Sequence, residues 1–398
     1  MSRRRPVQWG LTPLLCIGLL LCWGLSWNPS ASASTQQETQ EFQHLSDTAL
    51  LERAIQLYRQ SGDCDEPIRL YHVLLSRQPS EALQLAALFN QGKCFEQRRF
   101  WAEALANYQQ LIEQFPQAPA RVDALFRQGV VLEQLGQHAQ ATTRFQQVRR
   151  LGSTLTDADQ RALTVQLAWQ DLMRGHPRRA LRHVQPVRAA WTQLSEEERR
   201  PERFYQAKAE ILYGLVLSRY ASEAGLVPEK PREHLGLWWA RRRGQEQVWL
   251  KRHFSRWETR MQAARAHNEA AIKLGVNPWV AAGYYGLGTD GLRFLRAIRQ
   301  APIPEALSDD DSVQYREAVH HRTHAYLQDA AQLLVQGHEQ AIGRSDRSAW
   351  AQLLAELARL IDEEGLEGLQ TLDPGWPWLQ QQLQGAGGSD AELIRPLR

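Results

Sequence analysis

A recurrence of 37 residues is the feature that most restricts how this 398-residue chain can fold. Residues 89–116 align with 126–153: Gly92 matches Gly129, Ala104 matches Ala141, Tyr108 matches Phe145 and Leu111 matches Val148, each pair 37 apart. One period earlier, Tyr71, Leu74 and Pro79 precede Tyr108, Leu111 and Pro116. A fourth copy, shifted by two, carries Ala168, Gly175, Ala180, Val184 and Val187. A period of this size marks helical repeats that cannot bury their apolar faces singly and stack into a shared core. Small residues on the first helix of each pair (Gly92, Gly129, Ala168) and on the second (Ala104, Ala141, Ala180) allow close approach. The aromatic or aliphatic residue four positions later is expected to fill space toward the next pair. Pro79 and Pro116 stop the second helices. Sparse Val and Ile give strands little support.

These positions resemble the tetratricopeptide repeat family over about residues 48–190. The small, small, aromatic, proline spacing is nearly complete twice. Two copies depart from it: Ile55 and Pro67 hold the small positions of the first, and Thr192 stands where the closing proline of the fourth belongs. Gln91-Gly92 and Gln128-Gly129 replace the usual first-helix Leu-Gly. The resemblance implies an all-α solenoid of antiparallel helix pairs that binds partner proteins on the concave face made by its first helices. In this register the trough comprises Phe89, Lys93, Glu96, Phe126, Val130, Glu133, Val165 and Trp169. Packing between repeats is the competing role for the same residues, Phe89 and Phe126 especially.

The N-terminus reads as an export signal. Arg3, Arg4 and Arg5 precede an apolar run from Leu11 to Trp27, and Ala31 and Ala33 supply a small-residue cleavage pattern. An uncleaved membrane anchor is the alternative. Cleavage after Ala33 lowers Lys+Arg from 47 to 44 against 44 Asp+Glu. The mature chain is then formally neutral, so the basic pI is no argument for nucleic acid. Cys64 and Cys94 remain, either paired as a disulfide, which an exported compartment permits, or packed as two small unpaired residues.

The expected organisation is a signal at 1–33, a linker at 34–47, a solenoid at 48–225, an Arg/Trp-rich insertion at 226–245, a helical, repeat-like lobe at 246–380 and a tail at 381–398. Trp238, Trp239, Arg241, Arg242 and Arg243 form a candidate surface patch for anionic lipid or a partner. Their alternative role, with Trp249 and Trp257, is to anchor an irregular joint. The order of helices and Pro-x-Pro hinge after residue 263 looks similar to exported envelope proteins of delta-proteobacteria, some from gliding-motility complexes. In the long helix that follows, Tyr315, Val319, Tyr326, Ala330, Leu333, Gly337 and Ala341 form the expected apolar stripe.

Two features suggest chemistry and do not sustain it. The stretch GYYGLGTDG (283–291) fits the dinucleotide spacing G-x-G-x-x-G. That fingerprint needs a preceding strand and a helix opening at the glycines. Here Asn277-Pro278 starts a helix upstream, and Tyr284, Leu287 and Gly288 fall on first-helix repeat positions, so the glycines indicate close helix packing. His320 and His324 share a helix face, but no third metal ligand accompanies them. The sequence therefore predicts a non-catalytic scaffold for other envelope proteins, with no cofactor, metal or nucleic acid. An enzyme of cell-wall or glycan metabolism with a site in the C-terminal lobe is one alternative. A membrane-surface adaptor acting through residues 238–257 is the other.

Overall fold

The computed structural model describes residues 44–152, 155–223, 244–301 and 307–371, with residues 42, 240–242, 303 and 379 besides. The export signal (1–33), most of the linker (34–47), most of the insertion, including Trp238, Trp239 and Arg243, and the tail (381–398) lie outside them. The chain divides into a unit Met1–Leu45 and a unit Ser46–Arg398. The second holds every helix among the described residues, which contain no strand.

Its helices are α1 (Asp47–Ser61), α2 (Asp65–Ser76), α3 (Glu81–Gln97), α4 (Trp101–Gln114), α5 (Ala120–Gln134), α6 (His138–Arg150), α7 (Asp157–Met173) and α8 (Pro177–Trp191). They continue with the single turn α9 (Glu196–Arg199), then α10 (Arg203–Glu223), α11 (Glu246–Leu274), α12 (Trp279–Arg299), α13 (Asp309–Gly343) and α14 (Ala349–Thr371). Side-chain caps mark several starts. Ser46 Oγ accepts from Ala49 N at 3.2 Å, and Thr156 and Asp159 form a reciprocal capping box. Pro278 occupies the cap of α12, one residue earlier than the first helical position expected, and its peptide bond is cis.

The helices pack in consecutive pairs: α1 with α2, α3 with α4, α5 with α6, α7 with α8, α10 with α11 and α12 with α13. First helices also meet the first helix of a neighbouring pair, as α1 meets α3, α7 meets α10, and α12 meets both α10 and α14. This is an all-α solenoid. Residues 226–245 fall between the two helices of the α10–α11 pair. Trp257, expected in the joint reading, is buried on α11 with its ring stacked on Phe294 at 5.0 Å.

The small positions work as close-approach sites, but within a pair. A Cβ on Gly92 would stand 2.8 Å from Tyr108 Cε1, and one on Gly129 2.7 Å from Phe145 Cε1. Each aromatic ring of a second helix thus sits on the glycine of its own first helix, not toward the next pair as expected. The run in α12 extends the same device to two neighbours. Gly283 and Gly286 admit Ile272 and Asn268 of α11, while Gly288 and Gly291 admit Leu334 and Ala330 of α13. The space at Gly286 holds the Asn268 amide, whose Nδ2 donates to buried Asp290 at 3.2 Å. A helix precedes these glycines and no strand does.

On α13 the buried stripe is Thr323, Leu327, Ala330, Ala331, Leu334, Gly337 and Ala341. The expected Tyr315 and Tyr326 are exposed. Tyr315 lies in the largely exposed first turns of the helix, and Tyr326 stays exposed although its ring meets Phe294 of α12 at 4.9 Å.

Candidate partner-binding surface

Phe89, Lys93 and Glu96 lie along α3, Phe126, Val130 and Glu133 along α5, and Val165 and Trp169 along α7. The register of the first helices is therefore as expected, but most of the trough is not open. Glu96, Phe126, Val130, Glu133, Val165 and Trp169 are buried; only Phe89 and Lys93 stay partly exposed. Later first helices cover Glu133 and Trp169, through Lys208 of α10 and Trp279 of α12, whereas Phe126 packs on Phe145 of its own pair and Glu96 is enclosed by Tyr108 and Arg127.

At its centre is Lys208 of α10, with no exposed surface. Its Nζ donates to Glu133 Oε1 at 2.5 Å and to Gln166 Oε1 at 2.6 Å. It also stands 4.9 Å and 5.5 Å from the ring centres of Trp169 and Trp279, within cation–π range. Gln170 donates to Glu133 and pairs with His138 Nδ1 at 2.8 Å. Trp279, at the start of α12, packs on Trp169 and Phe204 with ring centres 5.5 Å apart in each case. A buried ammonium is tolerable only when paired and hydrogen-bonded, and these contacts supply both.

One helix pair earlier, Glu96 plays the part of Glu133. Arg127 Nη1 lies 3.3 Å from Glu96 Oε2, and Tyr108 donates its hydroxyl proton to Oε1. Burial pushes the Glu96 carboxyl above the usual carboxylate range, while Arg127 and Tyr108 pull it back. Two carboxylates expected to face a partner are instead internal ties between helix pairs.

What remains open is the corner of the leading repeats. Ile55, Tyr58, Tyr71, Asn90 and Lys93 line a pocket of about 290 Å³ there. Lys93 makes no ion pair; its Nζ lies over the Tyr58 ring at 5.9 Å. Burial first, then Arg127, lowers its pKa, with Glu96 and Asp123 opposing. Beneath the pocket the Cys64–Cys94 disulfide, Cα atoms 5.3 Å apart, ties the α1–α2 turn to α3. Phe89 packs on Tyr108 with ring centres 6.0 Å apart, so it serves the core at least as much as the surface.

Asp123, on the next first helix, carries a carboxyl pushed up to about 7 by burial and then by Asp159, against the pull of Arg127 and Lys93. Between about pH 4 and pH 7 the unfolded carboxyl has lost its proton while the folded one keeps it. Stability therefore falls as pH rises through that window and levels off above it. Asp123→Asn removes this loss. The variant is expected to match the parent near pH 4 and to exceed it at pH 8 by about 1 kcal/mol, a figure reduced because the group is partly exposed to solvent. Thermal unfolding at the two pH values checks this.

Of the remaining sequence candidates, Trp238, Trp239 and Arg243 lie outside the described residues. Arg241 and Arg242 lie in a short helical turn before α11. His320, His321 and His324 are exposed on α13. Among the described residues no group of three or more His, Cys, Asp or Glu side chains could hold a metal ion, and no helix is long and apolar enough to cross a membrane.

A family model described as tetratricopeptide repeat matches residues 52–119 and again 89–154. The two matches start one 37-residue period apart, and together they cover α2 to α6 and most of α1. No curated protein matches the chain. Tetratricopeptide repeats mediate protein–protein interactions, and proteins built from them are typically non-catalytic scaffolds.

Proposed function

We propose that this chain is a non-catalytic scaffold of a bacterial cell envelope, which holds a partner protein at the open corner of its leading repeats. The tetratricopeptide repeats of residues 52–154 support the scaffold role. Lys93 carries the choice of corner: it is a partly desolvated cation without an ion pair, beside an apolar rim of Ile55 and Tyr58, on a face whose remainder the chain itself fills. With the exposed Arg59 also lining the pocket, such a site suits a partner that brings carboxylates and an apolar side chain. The exported setting rests on the basic and apolar start of the sequence and on the Cys64–Cys94 disulfide, which persists where the surroundings are oxidising.

The test is affinity capture from envelope extracts with the parent chain and with Lys93→Met, which keeps the stem over Tyr58 and removes the charge. A charge-assisted hydrogen bond contributes about 1.5–3 kcal/mol, so the captured partner should bind at least about ten-fold more weakly to the variant. A partner retained equally by both proteins would place its binding site elsewhere.

A further inference from the structure

A second surface lies on the opposite side of α10 from the buried lysine. Lys208 and Glu210 are two residues apart, about 200° around the helix, so Lys208 enters the interior while Glu210 faces out between α8 and α11. There a cleft of about 650 Å³ opens, within the range that accommodates several side chains of a ligand. Its apolar part includes Trp191 and Leu274. Trp191 forms part of the cleft floor and is almost wholly buried, with its indole N–H spent on Glu202 at 2.8 Å.

The polar part is predominantly basic: Arg188, Arg199, Arg203 and Lys273 against Glu196 and Glu210. Both carboxylates are already engaged. Glu210 accepts from Arg188 through both oxygens at 2.9 and 3.3 Å and from His267 Nδ1 at 2.5 Å. Burial works against its charge, and the His267 and Arg188 contacts outweigh that, holding its pKa below the usual range. Arg188 also lies over the Tyr213 ring at 4.5 Å, so its guanidinium is fixed in place before any ligand arrives. Glu196 is shared by Arg199 and Arg203. Lys273, exposed in the last turn of α11, has no ion pair or hydrogen bond. The extra turn α9 between α8 and α10 brings Arg199 and Glu196 to this rim. It interrupts the repeat pattern at the place where Thr192 replaces the closing proline.

We propose that the cleft between α8 and α11 docks an acidic segment of a partner protein, with an apolar side chain against Trp191 and Leu274 and carboxylates on Arg188, Arg203 and Lys273. The apolar floor favours a peptide over a bare anion, and the surplus of cations selects an acidic one. None of these residues belongs to the Lys93 corner, so either site can fail without the other.

The experiment uses the full chain and fluorescent acidic peptides, each with several glutamates around one leucine, phenylalanine or tryptophan, read by anisotropy. Glutamine-for-glutamate peptides serve as the comparison. The expected result is binding of the acidic set alone, weakened at least about ten-fold by Lys273→Glu combined with Arg203→Gln and weakened by added salt. Lys251→Glu, the same charge reversal as Lys273→Glu on an exposed residue near the other end of α11, should leave binding unchanged. Binding of no acidic peptide, or equal binding by the double variant, overturns the proposal. So does displacement of the peptide by inorganic phosphate or by phosphatidylglycerol vesicles at the same charge concentration, which would make the cleft a site for small anions or headgroups. Circular dichroism of the variants confirms that lost binding is not lost folding.

Discussion

Lys208→Met is expected to destabilise the array by about 3–5 kcal/mol, the usual loss when one member of a buried ion pair is removed and its partner stays behind. Glu133 would be that stranded partner, its buried carboxylate left with the Gln170 amide as donor. The methionine keeps most of the stem and its packing on Trp169 and Trp279, so the loss reports the charge and not a cavity. Adding Glu133→Leu should recover most of the stability, because replacing both members of a buried pair by apolar residues is often neutral or favourable. Urea unfolding followed by tryptophan fluorescence measures both, since Trp169 and Trp279 flank the lysine. A single variant as stable as the parent would show that the first-helix face is not closed in solution.

Gly283→Val should cost about 3 kcal/mol, toward the upper end for overpacking a close-packed interior. The added Cβ would lie 2.8 Å from the backbone carbonyl oxygen of Asn268 and 2.6 Å from Ile272 Cγ1. A side chain can turn aside; the backbone of α11 can yield only if the two helices separate. Gly343→Ala, at the end of α13 with nothing within 4 Å of its new methyl, should be neutral or stabilising by up to about 1 kcal/mol from helix propensity. The contrast, read as thermal unfolding midpoints, separates helix packing from any general intolerance of glycine replacement. Gly283 stands one turn ahead of the G-x-G-x-x-G glycines Gly286, Gly288 and Gly291, which meet α11 and α13 in the same close way.

The repeats were legible because their geometry is local. Gly92 and Tyr108 meet inside one helix pair, and Gly129 and Phe145 repeat the contact 37 residues later, so spacing alone revealed them. The filling of the trough was not legible, because its partners come from far along the chain. Lys208 lies 75 residues beyond Glu133, and nothing in its neighbourhood distinguishes it from a solvated lysine. One signal was available. Glu96, Glu133 and Gln170 recur at the period of 37 on an otherwise apolar helix face, and a polar group kept at such a position implies an internal partner. Lys93 and Phe89 stay partly exposed on α3, although Glu96 on the same helix is enclosed by Tyr108 and Arg127. The cleft at Arg188 could not be foreseen, since it depends on how α9 sets α10 against α8.

Open arrays of this kind tolerate gain or loss of whole modules, since each module touches only its neighbours. Here that freedom is gone. Glu133 must meet Lys208, and Arg99 at the end of α3 bonds the backbone carbonyl of Arg347 just ahead of α14. Excising the α7–α8 module would carry Lys208 out of step with Glu133 and leave two enclosed charges without mates. The length of this scaffold is therefore set by its own interior, and its descendants can vary by substitution and by insertions in loops far more readily than by adding or dropping modules.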